Sequence, residues 1–450
     1  MKTIVIIGGG WSGILTAIQL LEKNKNISIK IIHSGTPIGL GVAYSTTDTS
    51  HLLNVPAEKM SAFPNNPKHF TDWLIANGNS AEQLEKQFFP RLLYGKYILE
   101  LFSTLKLQEQ LEIINTKAVD IQKKENLYSI QLDNNKSVDA NKIVLALGNF
   151  LPANPKSASE SFFESSNYFK NPWNTDFLKG LQTNQNILLI GTGLTMVDCV
   201  LSLKNAGLTG KIYAVSPRGY TPAPHSKTET YPDFYSELKG KTLLEIVQIV
   251  RKHIKIAEQK NSCWIGVIDS LRQHFQELWI ILSIKEKQQF ISHIRHIWGV
   301  ARHRLPKNTY EELIDLKVKG QLEIIGGRIN EIIEKNGDIT ATIQLRGISE
   351  KRTLNISRVI NCTGPQSNYK ELKDELIRNL LAKKIILAHE LKMGIQTNLN
   401  GQIIQEQGKM SDDIYAIGSL LRGVLWETTA VPEISKQAEQ IAKQIIDSIK

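Results

Sequence analysis

A strand-like apolar run that leads directly into a glycine-rich turn constrains the fold of this chain more than any other feature. The run KTIVII is followed by Gly8, Gly10 and Gly13, spaced G-x-G-x-x-G, and then by an apolar stretch at 14–21. In dinucleotide-binding folds such glycines allow a tight turn, admit a pyrophosphate and let the helix pack closely on the strand. The unpaired N–H groups at the start of that helix favour phosphate. The sequence therefore predicts a dinucleotide site here.

A second apolar run, ISIKII at residues 27–32, completes a β-α-β unit of roughly the expected length. An acidic residue usually follows this strand and binds the ribose hydroxyls. Here His33 and Ser34 take that place. Because an imidazole can donate to or accept from a hydroxyl, we predict a ribose contact from this non-acidic pair.

A second glycine motif lies further along the chain. The run NILLI leads into Gly191 and Gly193, with Met196 where a third glycine would allow closer packing. The strand after this helix ends in Ser216 and Arg218, with no carboxylate. An acid there would repel a 2′-phosphate, whereas serine and arginine can bind one. The motif therefore predicts a nicotinamide site that favours NADPH over NADH, and a solvated surface role for Arg218 is the alternative.

Two dinucleotide motifs in one chain predict the fold class: α/β, a two-dinucleotide-binding-domain flavoprotein in which FAD accepts hydride from NAD(P)H. Residues 143–148 and 359–365 are two further strands that each end in a small residue and a glycine. In such flavoproteins these turns mark where the chain crosses between the two domains. At 450 residues the chain is long enough for two or three domains.

Composition and charge argue against other classes of protein. The chain is 41% apolar and 22% charged, as globular proteins are. No apolar run approaches the roughly 18 residues of a membrane span, so we expect a cytoplasmic protein with no membrane partner. The net charge of +10 is dispersed along the chain, so no nucleic-acid partner is expected. This charge instead favours anionic ligands by steering.

Isolated reactive side chains give no catalytic motif of their own. The three cysteines are far apart in sequence and form no C-x-x-C pair, which argues against a disulfide framework, a zinc site and a dithiol redox centre; they are Cys199, Cys263 and Cys362. His293, His296 and His303 are interleaved with arginines, so no metal site is predicted. Asp198 is expected to pack or pair within its own domain.

Three motifs carry a specific family resemblance: residues 39–46 (GLGVAYST), 51–57 (HLLNVPA) and 60–64 (MSAFP). On these the chain resembles the mostly uncharacterised bacterial family of FAD/NAD(P)-binding proteins, which is more distantly similar to flavin-containing and N-hydroxylating monooxygenases. Further matches lie at 90–95, 171–173, 298–304 and 422–433. The resemblance covers nearly the whole chain and points to a family more strongly than to one reaction.

The resemblance implies a discontinuous arrangement of domains. Residues 1–180 would form the first part of a Rossmann-like FAD-binding domain, and residues 355–450 its C-terminal part. Residues 181–354 would form an inserted Rossmann-like NAD(P)-binding domain with a helical insert at about 240–310. This insert would shape the substrate cavity.

The predicted cofactor-binding residues fall into three sets. The first glycine motif gives Gly8, Gly9, Gly10, Trp11, Ser12, Gly13, His33 and Ser34. The second gives Gly191, Thr192, Gly193, Leu194, Thr195, Ser216 and Arg218. The resemblance implies further contacts to FAD from Gly41, Tyr44, His51, Asn54, Val55, Val119, Gly148, Gly418, Trp426 and Thr428.

Five of the residues in the resembling motifs are candidate catalytic residues. Asn54 would bond the edge of the isoalloxazine, and His51 would orient its loop; a turn-stabilising Asn and a capped His are the alternative. Arg91 would neutralise an FAD phosphate or bind an anionic substrate, unless it forms a structural ion pair. Trp298 and His303, with Arg302 and Arg304 beside them, would dock the nicotinamide dinucleotide or an acidic substrate; a structural cluster is again the alternative.

The function predicted from these cofactors is that of an FAD-dependent, NAD(P)H-using monooxygenase. NADPH would reduce FAD, and the reduced flavin would form a peroxyflavin with molecular oxygen and hydroxylate a small polar substrate, with nitrogen as a candidate position. One alternative is an FAD-dependent reductase or dehydrogenase without oxygen insertion. The other is a non-catalytic flavin-binding interaction protein.

Overall fold

Two largely parallel sheets organise the chain, which this computed structural model describes for residues 1–35, 37–226 and 230–449. The strands in chain order are β1 (Lys2–Ile7), β2 (Ile27–His33), β3 (Leu111–Asn115), β4 (Ala118–Lys123), β5 (Tyr128–Leu132), β6 (Ser137–Ala140), β7 (Lys142–Leu145), β8 (Tyr168–Phe169), β9 (Ile187–Ile190), β10 (Ile212–Ser216), β11 (Leu322–Lys335), β12 (Asp338–Leu345), β13 (Lys351–Ile356), β14 (Arg358–Asn361), β15 (Gln402–Ile404) and β16 (Met410–Ala416).

Helices cover both faces of these sheets. In chain order they are α1 (Trp11–Lys23), α2 (Gly41–Tyr44), α3 (His69–Ala76), α4 (Arg91–Lys106), α5 (Leu194–Asn205), α6 (Leu243–Gln259), α7 (Trp264–Ser270), α8 (Phe275–Ile281), α9 (Ile284–Gln289), α10 (Arg295–Arg302), α11 (Lys307–Val318), α12 (Glu375–Ala382), α13 (Arg422–Leu425) and α14 (Val431–Ser448). A π-helical turn, Phe290–Ile294, joins α9 to α10. No helix among the described residues is long and apolar enough to cross a membrane.

The first sheet has the strand order β15-β16-β7-β1-β2-β3 and is parallel apart from β15. Both faces of β1 are buried, since Ile4 and Ile6 belong to one apolar cluster and Val5 and Ile7 to another. Burial on both faces explains why this strand reads as a continuous apolar run. Helices α1 and α14 pack on the first face, and α12 with the small antiparallel sheet β4-β5-β6 lies on the second.

The second sheet has the strand order β13-β12-β11-β10-β9-β14-β8. Neighbouring strands are parallel from β11 through β10, β9 and β14 to β8. Strands β11, β12 and β13 form an antiparallel meander. The alternate residues of β9 again enter two apolar clusters. Each glycine motif therefore follows a central parallel strand that is buried on both faces, as the sequence predicts.

The predicted fold class is confirmed, and the domain boundaries are open to revision. Strand β8 precedes the predicted boundary at 180 and β14 follows the one at 354, yet both hydrogen-bond within the second sheet. We therefore propose that the second unit begins before β8 and ends after β14. The sequence pattern missed these two crossings between the units, because a short strand at the edge of a sheet can join it without a neighbouring helix.

Candidate functional site

The carboxyl ends of β1, β7 and β16 meet at one point of the first sheet. Gly8 has φ +113°, and a Cβ atom on it would lie 2.1 Å from the carbonyl oxygen of Ala146, so the turns after β1 and β7 touch only because Gly8 has no side chain. After β16, a Cβ on Gly418 would lie 3.4 Å from the Ser12 hydroxyl oxygen. The Ser419 hydroxyl donates to the carbonyl of Gly148. Three separate stretches of chain thus form one edge.

A cavity of about 670 Å³ opens at this edge. Most residues predicted to bind the first dinucleotide line it: Gly8, Gly9, Gly10, Trp11, Ser12, His33, Ser34, Gly41, Tyr44, Val119, Gly148 and Gly418. Lys117 and Lys373 add positive charge to its lining, and Asp374 and Glu375 add negative charge. The volume is within the range of small-molecule and cofactor sites.

The start of α1 fits a pyrophosphate. Its N-cap, Gly10, offers no side-chain cap, and its first turn holds no acidic residue, so the first N–H groups have no side-chain acceptor from the cap. Gly13 lets the helix approach the strand, because a Cβ there would lie 2.0 Å from the Gly8 carbonyl oxygen. Two buried polar atoms have no hydrogen-bond partner among the described residues: Nε1 of Trp11, which lines the cavity, and Oγ1 of Thr428, whose neighbour in sequence, Thr429, lines it. The N–H groups at the start of α1 and these two side-chain groups suit a polar, anionic cofactor.

The imidazole of His33 stands where a ribose-binding acid usually lies. A Cβ on Gly9 would lie 2.7 Å from His33 Cγ, so the absence of a side chain at Gly9 makes room for the ring. His33 and Ser34 both line the cavity, next to Thr116. The carbonyl of Val119, also in the lining, already accepts a hydrogen bond from Asn379 Nδ2 at 2.8 Å. Their contacts to a cofactor stay a prediction.

The second glycine turn repeats the geometry of the first. Gly191 has φ +116°, and a Cβ on it would lie 2.5 Å from the carbonyl oxygen of Cys362 at the end of β14. Gly193 is the N-cap of α5 and provides no side-chain cap. The Thr192 hydroxyl lies 2.8 Å from that of Ser216, which joins the turn to the end of β10. The residues predicted for the second dinucleotide are thus brought together.

The end of β10 is basic. The Ser216 hydroxyl accepts from the Gly219 N–H at 3.1 Å, so it serves the turn itself. Arg218 donates a long hydrogen bond, 3.5 Å, to the carbonyl of Ser292. Desolvation lowers the pKa of the Arg295 guanidinium, and the charge of Arg218 lowers it further. Two guanidinium groups therefore share this end of the second sheet.

Cys199 and Cys362 lie together, although they are 163 residues apart in sequence: their Sγ atoms are 3.7 Å apart. Both are buried, and the hydrogen bond to Cys362, together with burial, raises the pKa of the Cys199 thiol well above its usual value. The sequence spacing alone gave no sign of this pair. Because both thiols are buried and the pKa of the Cys199 thiol is raised, they do not offer a reactive dithiol to an external substrate.

Helix α5 contacts the first unit through a polar seam. Arg91, the first residue of α4, makes two hydrogen bonds to the Asp198 carboxylate, at 2.7 and 3.2 Å. The expectation that Asp198 pairs within its own domain is wrong, because the α5 face that carries it turns outward to the other unit. His51 Nε2 lies 2.9 Å from the Ser202 hydroxyl and 3.1 Å from the Asp198 carbonyl oxygen. The structural ion pair left open for Arg91 is the one observed.

The loop that holds His51 continues into Asn54 and Val55. The Asn54 carbonyl oxygen lies 3.0 Å from His225 Nε2, while its side-chain amide bonds no described residue. Val55 is buried in the apolar cluster of the first unit. Neither residue lines the cavity described above. Their predicted contacts with the flavin stay predictions, and the seam gives His51 a positioning role.

The basic aromatic cluster of α10 pairs with the segment after α13. Trp298 Nε1 donates to Glu427 Oε1 at 3.1 Å, and Arg302 Nε lies 3.4 Å from Glu427 Oε2. Arg304 forms two hydrogen bonds with Asp269, at 2.8 and 2.7 Å. Desolvation lowers the pKa of His303, although its side chain is exposed. Of Trp298, Arg302, His303 and Arg304, His303 is the exposed residue.

Trp426 has a strained backbone at the centre of this region. Its φ and ψ are 61° and −66°, and the N–H of Glu427 donates to the carbonyl of Leu425 at 2.7 Å, which closes a γ-turn. This turn is rare and strained for a residue other than glycine. The indole lies 4.9 Å from Trp279 and 5.1 Å from Phe290, ring centre to ring centre. The ring of Trp426 joins an aromatic cluster with the helical insert, and its predicted contact with FAD stays a prediction.

Several residues of this region were missed at the sequence level. Glu427 and His225 bond predicted site residues, and Trp279 and Arg422 flank Trp426. Each acts through a contact with a distant part of the chain. The resembling motif at 422–433 was the only sequence signal that included any of them.

Comparisons with known proteins agree with the first cavity and with the fold. A family model described as FAD-NAD(P)-binding matches residues 5–150. The uncharacterised protein YdhS of Escherichia coli K12 is 21% identical, with 99% of this chain and 88% of that protein covered. The predictions of the resemblance and of FAD with a nicotinamide dinucleotide as cofactors are thereby confirmed.

Two solved structures share the architecture over the full length. The ornithine N-hydroxylase of Kutzneria sp. 744 superposes with a TM-score of 0.70 at 13% identity, covering 99% of each chain. Bacillithiol disulfide reductase from Staphylococcus aureus has a TM-score of 0.59 at 13% identity, with 100% of each chain covered. At such identities the likeness shows the fold alone, an architecture with two dinucleotide-binding domains.

Proposed function

We propose that this chain is an FAD-dependent, NADPH-using monooxygenase that hydroxylates a small polar substrate, with an amine nitrogen as the candidate position. The observation that carries the proposal is the pair of uncapped helix starts, α1 and α5, each behind a glycine turn on its own sheet. An enzyme that uses a flavin and a nicotinamide dinucleotide needs two cofactor sites, and each of the two turns would provide one. The likeness to an ornithine N-hydroxylase supports oxygen insertion over the alternatives.

The chain's own residues supply binding and orientation. The N–H groups at Gly10 to Ser12 would hold the FAD pyrophosphate, His33 and Ser34 would hold its ribose, and the turn at Gly418 would close on the cofactor from the other side. Bound FAD supplies the redox chemistry, since it takes a hydride from a nicotinamide and passes electrons to dioxygen.

The second site would select its dinucleotide by charge. Arg218 and Arg295 form a basic pair at the end of β10, where no carboxylate opposes a 2′-phosphate. The α5 seam, with Arg91 on Asp198, would fix the second unit against the first. The closely packed rings of Trp279, Phe290 and Trp426 would keep water from the reacting atoms.

The reductase alternative lacks an internal electron acceptor. Cys199 and Cys362 are close together but buried, and the raised pKa of Cys199 keeps its thiol protonated. A non-catalytic flavin protein would not need the basic end of β10. Both alternatives are decided by the same experiment.

The test is the stoichiometry of the reaction. The purified protein should bind FAD and should oxidise NADPH faster than NADH, and primary amines such as L-ornithine should raise the yield of hydroxylated product per NADPH. Arg218→Met should raise the KM for NADPH at least tenfold and leave that for NADH within about twofold. Hydrogen peroxide formed one-for-one with NADPH, whatever amine is present, would contradict oxygen insertion. A flavin that neither nicotinamide reduces would contradict the enzyme itself.

A further inference from the structure

A row of aromatic rings leads from the cofactor cavity to the surface of the first unit. Trp11 and Tyr44 line the cavity, and their ring centres lie 6.2 and 4.8 Å from that of Tyr94. Tyr94 lies 5.4 Å from Tyr97, which lies 5.5 Å from Trp73. Trp73 and Tyr97 line a separate groove of about 390 Å³ between α3 and α4. We call Trp11, Tyr44, Tyr94, Tyr97 and Trp73 the aromatic row.

The middle of the row is shielded from water. Tyr94 and Tyr97 are fully buried, and Trp11 is 4% exposed, whereas Trp73 is half-buried at the outer end. Desolvation raises the pKa of both buried phenols, so both are neutral. Between the cavity and the groove, successive ring centres are never more than 6.2 Å apart. Because electron transfer slows steeply with distance, such spacing favours transfer from ring to ring.

Each of the two outer rings has a proton acceptor at hydrogen-bond distance. Tyr97 Oη lies 2.8 Å from His69 Nδ1, and it accepts from the Ala62 N–H at 3.3 Å, which leaves the phenolic proton for the imidazole. Desolvation lowers the pKa of His69, so the ring is neutral and can accept. Trp73 Nε1 donates to Glu100 Oε2 at 2.6 Å. Loss of an electron makes a phenol or an indole strongly acidic, so an adjacent base favours that loss.

Packing alone does not account for the composition of the row. Tyr94 Oη is buried and has no hydrogen-bond partner among the described residues, which costs free energy. Phenylalanine would fill the same space without that cost. Phe70, 5.0 Å from Tyr94 and 5.1 Å from Tyr97 between ring centres, shows that a plain phenyl ring fits this cluster. Rings that can be oxidised nevertheless hold the positions that connect the cavity with the groove.

We propose that the aromatic row carries single electrons from the surface groove to an oxidant in the cofactor cavity. Tyr97 gives an electron inward while its phenolic proton moves to His69. Trp73 then returns an electron to Tyr97, which takes that proton back. Trp73 is left one electron short, and its Nε1–H bond breaks as Glu100 takes the proton. A soluble one-electron reductant such as ascorbate restores Trp73, and Glu100 returns the proton.

The electron acceptor is FAD in the cavity, which blue light converts into a strong one-electron oxidant. Trp73 loses one electron for each electron that the cofactor gains, so the transfer balances. The row would thereby move oxidising equivalents out of the interior of the protein to a surface where small reductants can remove them. The proposal rests on the FAD site and goes beyond the hydroxylation proposed above, in which the row takes no part.

Illumination of the FAD-loaded protein, followed by rapid freezing and electron paramagnetic resonance, tests the path. NADPH and ascorbate are left out of the sample. We expect a tryptophan radical, recognised because its hyperfine splitting changes when the protein contains deuterated tryptophan. Trp73→Phe should lower the yield of this radical about tenfold. Trp264→Phe, at a half-buried tryptophan on α7, is the matched control and should give the wild-type yield.

A second variant tests the proton acceptor and does not depend on the fold of the first. Glu100→Gln, at an exposed position, keeps a hydrogen-bond acceptor for Trp73 but removes the base. The radical should then decay about tenfold faster in transient absorption, because the indole keeps its proton and recovers its electron sooner. A residue that only packs Trp73 in place would leave the decay unchanged.

Three results would overturn the proposal: no tryptophan radical on illumination, the same yield in Trp73→Phe as in the wild type, or an equal loss in Trp264→Phe. NADPH oxidation in the dark is a separate readout, which Trp73→Phe should leave unchanged. A protein that hydroxylates amines but forms no radical at Trp73 would lose this path and keep the proposed function. One that forms the radical but never oxidises NADPH would do the opposite.

Discussion

The two glycine turns of this chain have the same local geometry and different surroundings. At both, the first glycine has a positive φ, near +115°, and its missing side chain lets a neighbouring strand's carbonyl approach: Ala146 at Gly8 and Cys362 at Gly191. The third position differs. A Cβ atom on Gly13 would lie 2.0 Å from the Gly8 carbonyl oxygen, so no side chain fits there. At the equivalent position of the second turn, the side chain of Met196 is fully buried in the core. The two turns therefore share one backbone geometry, whereas the helices that follow them pack against their strands in different ways.

The largest effect should come from filling the first position of either turn. Gly8→Ala and Gly191→Ala would each place a Cβ within 2.5 Å of a backbone atom, at a φ that alanine rarely adopts, and should cost about 4 kcal/mol of unfolding free energy. Chemical denaturation measures the loss. Wild-type stability of either variant would show that the turn can relax, and the close approach would then not explain the glycine.

Truncating Met196 should reveal how the second helix compensates for a missing glycine. Met196→Ala would leave a cavity between α5 and β9 and should destabilise the protein by about 3 kcal/mol. Leu107→Ala, at a largely exposed position after α4, is the control and should change stability by less than about 0.5 kcal/mol. Equal effects of the two changes would mean that Met196 is not a packing residue.

Loosening the seam between the two units should have a smaller effect on stability and a clear effect on electron transfer. Asp198→Asn removes the charge opposite Arg91 in a largely buried pair and should cost about 2 kcal/mol. The reduction of bound flavin by NADPH, followed by stopped-flow absorbance, should slow because the second unit is held less firmly. Asp315→Asn, in an exposed pair with Lys319, should leave both quantities unchanged.

The second glycines should affect ligands and not the fold. A Cβ on Gly10 would lie no closer than 3.7 Å to a described atom, and one on Gly193 would have none within 4 Å. Gly10→Ala should therefore lower FAD affinity at least tenfold, and Gly193→Ala should do the same for NADPH, with melting temperatures within a few degrees of the wild type. If Gly193→Ala released FAD instead, the assignment of one cofactor to each turn would be reversed.

The parts that could be predicted from sequence are those encoded by adjacent residues. The strand, turn and helix at Gly8 and at Gly191 are local, so spacing alone locates them. The Arg91–Asp198 pair joins residues 107 apart, and the cysteine pair joins residues 163 apart. Such contacts depend on how the two sheets pack. The turn at Trp426 was missed for another reason, since a positive φ is expected at glycine and not at tryptophan.

The return of β16 to the first sheet has a consequence for biosynthesis. Gly418 and Ser419 complete an edge whose other parts, the turns at Gly8 and Gly148, are made some 270 to 410 residues earlier in the chain. A nascent chain that has exposed only its first 400 residues holds α1 and β7 but not the strand that closes the cavity. Binding of the first cofactor should therefore occur late in translation. The moment at which bound flavin appears would show when the first sheet is complete.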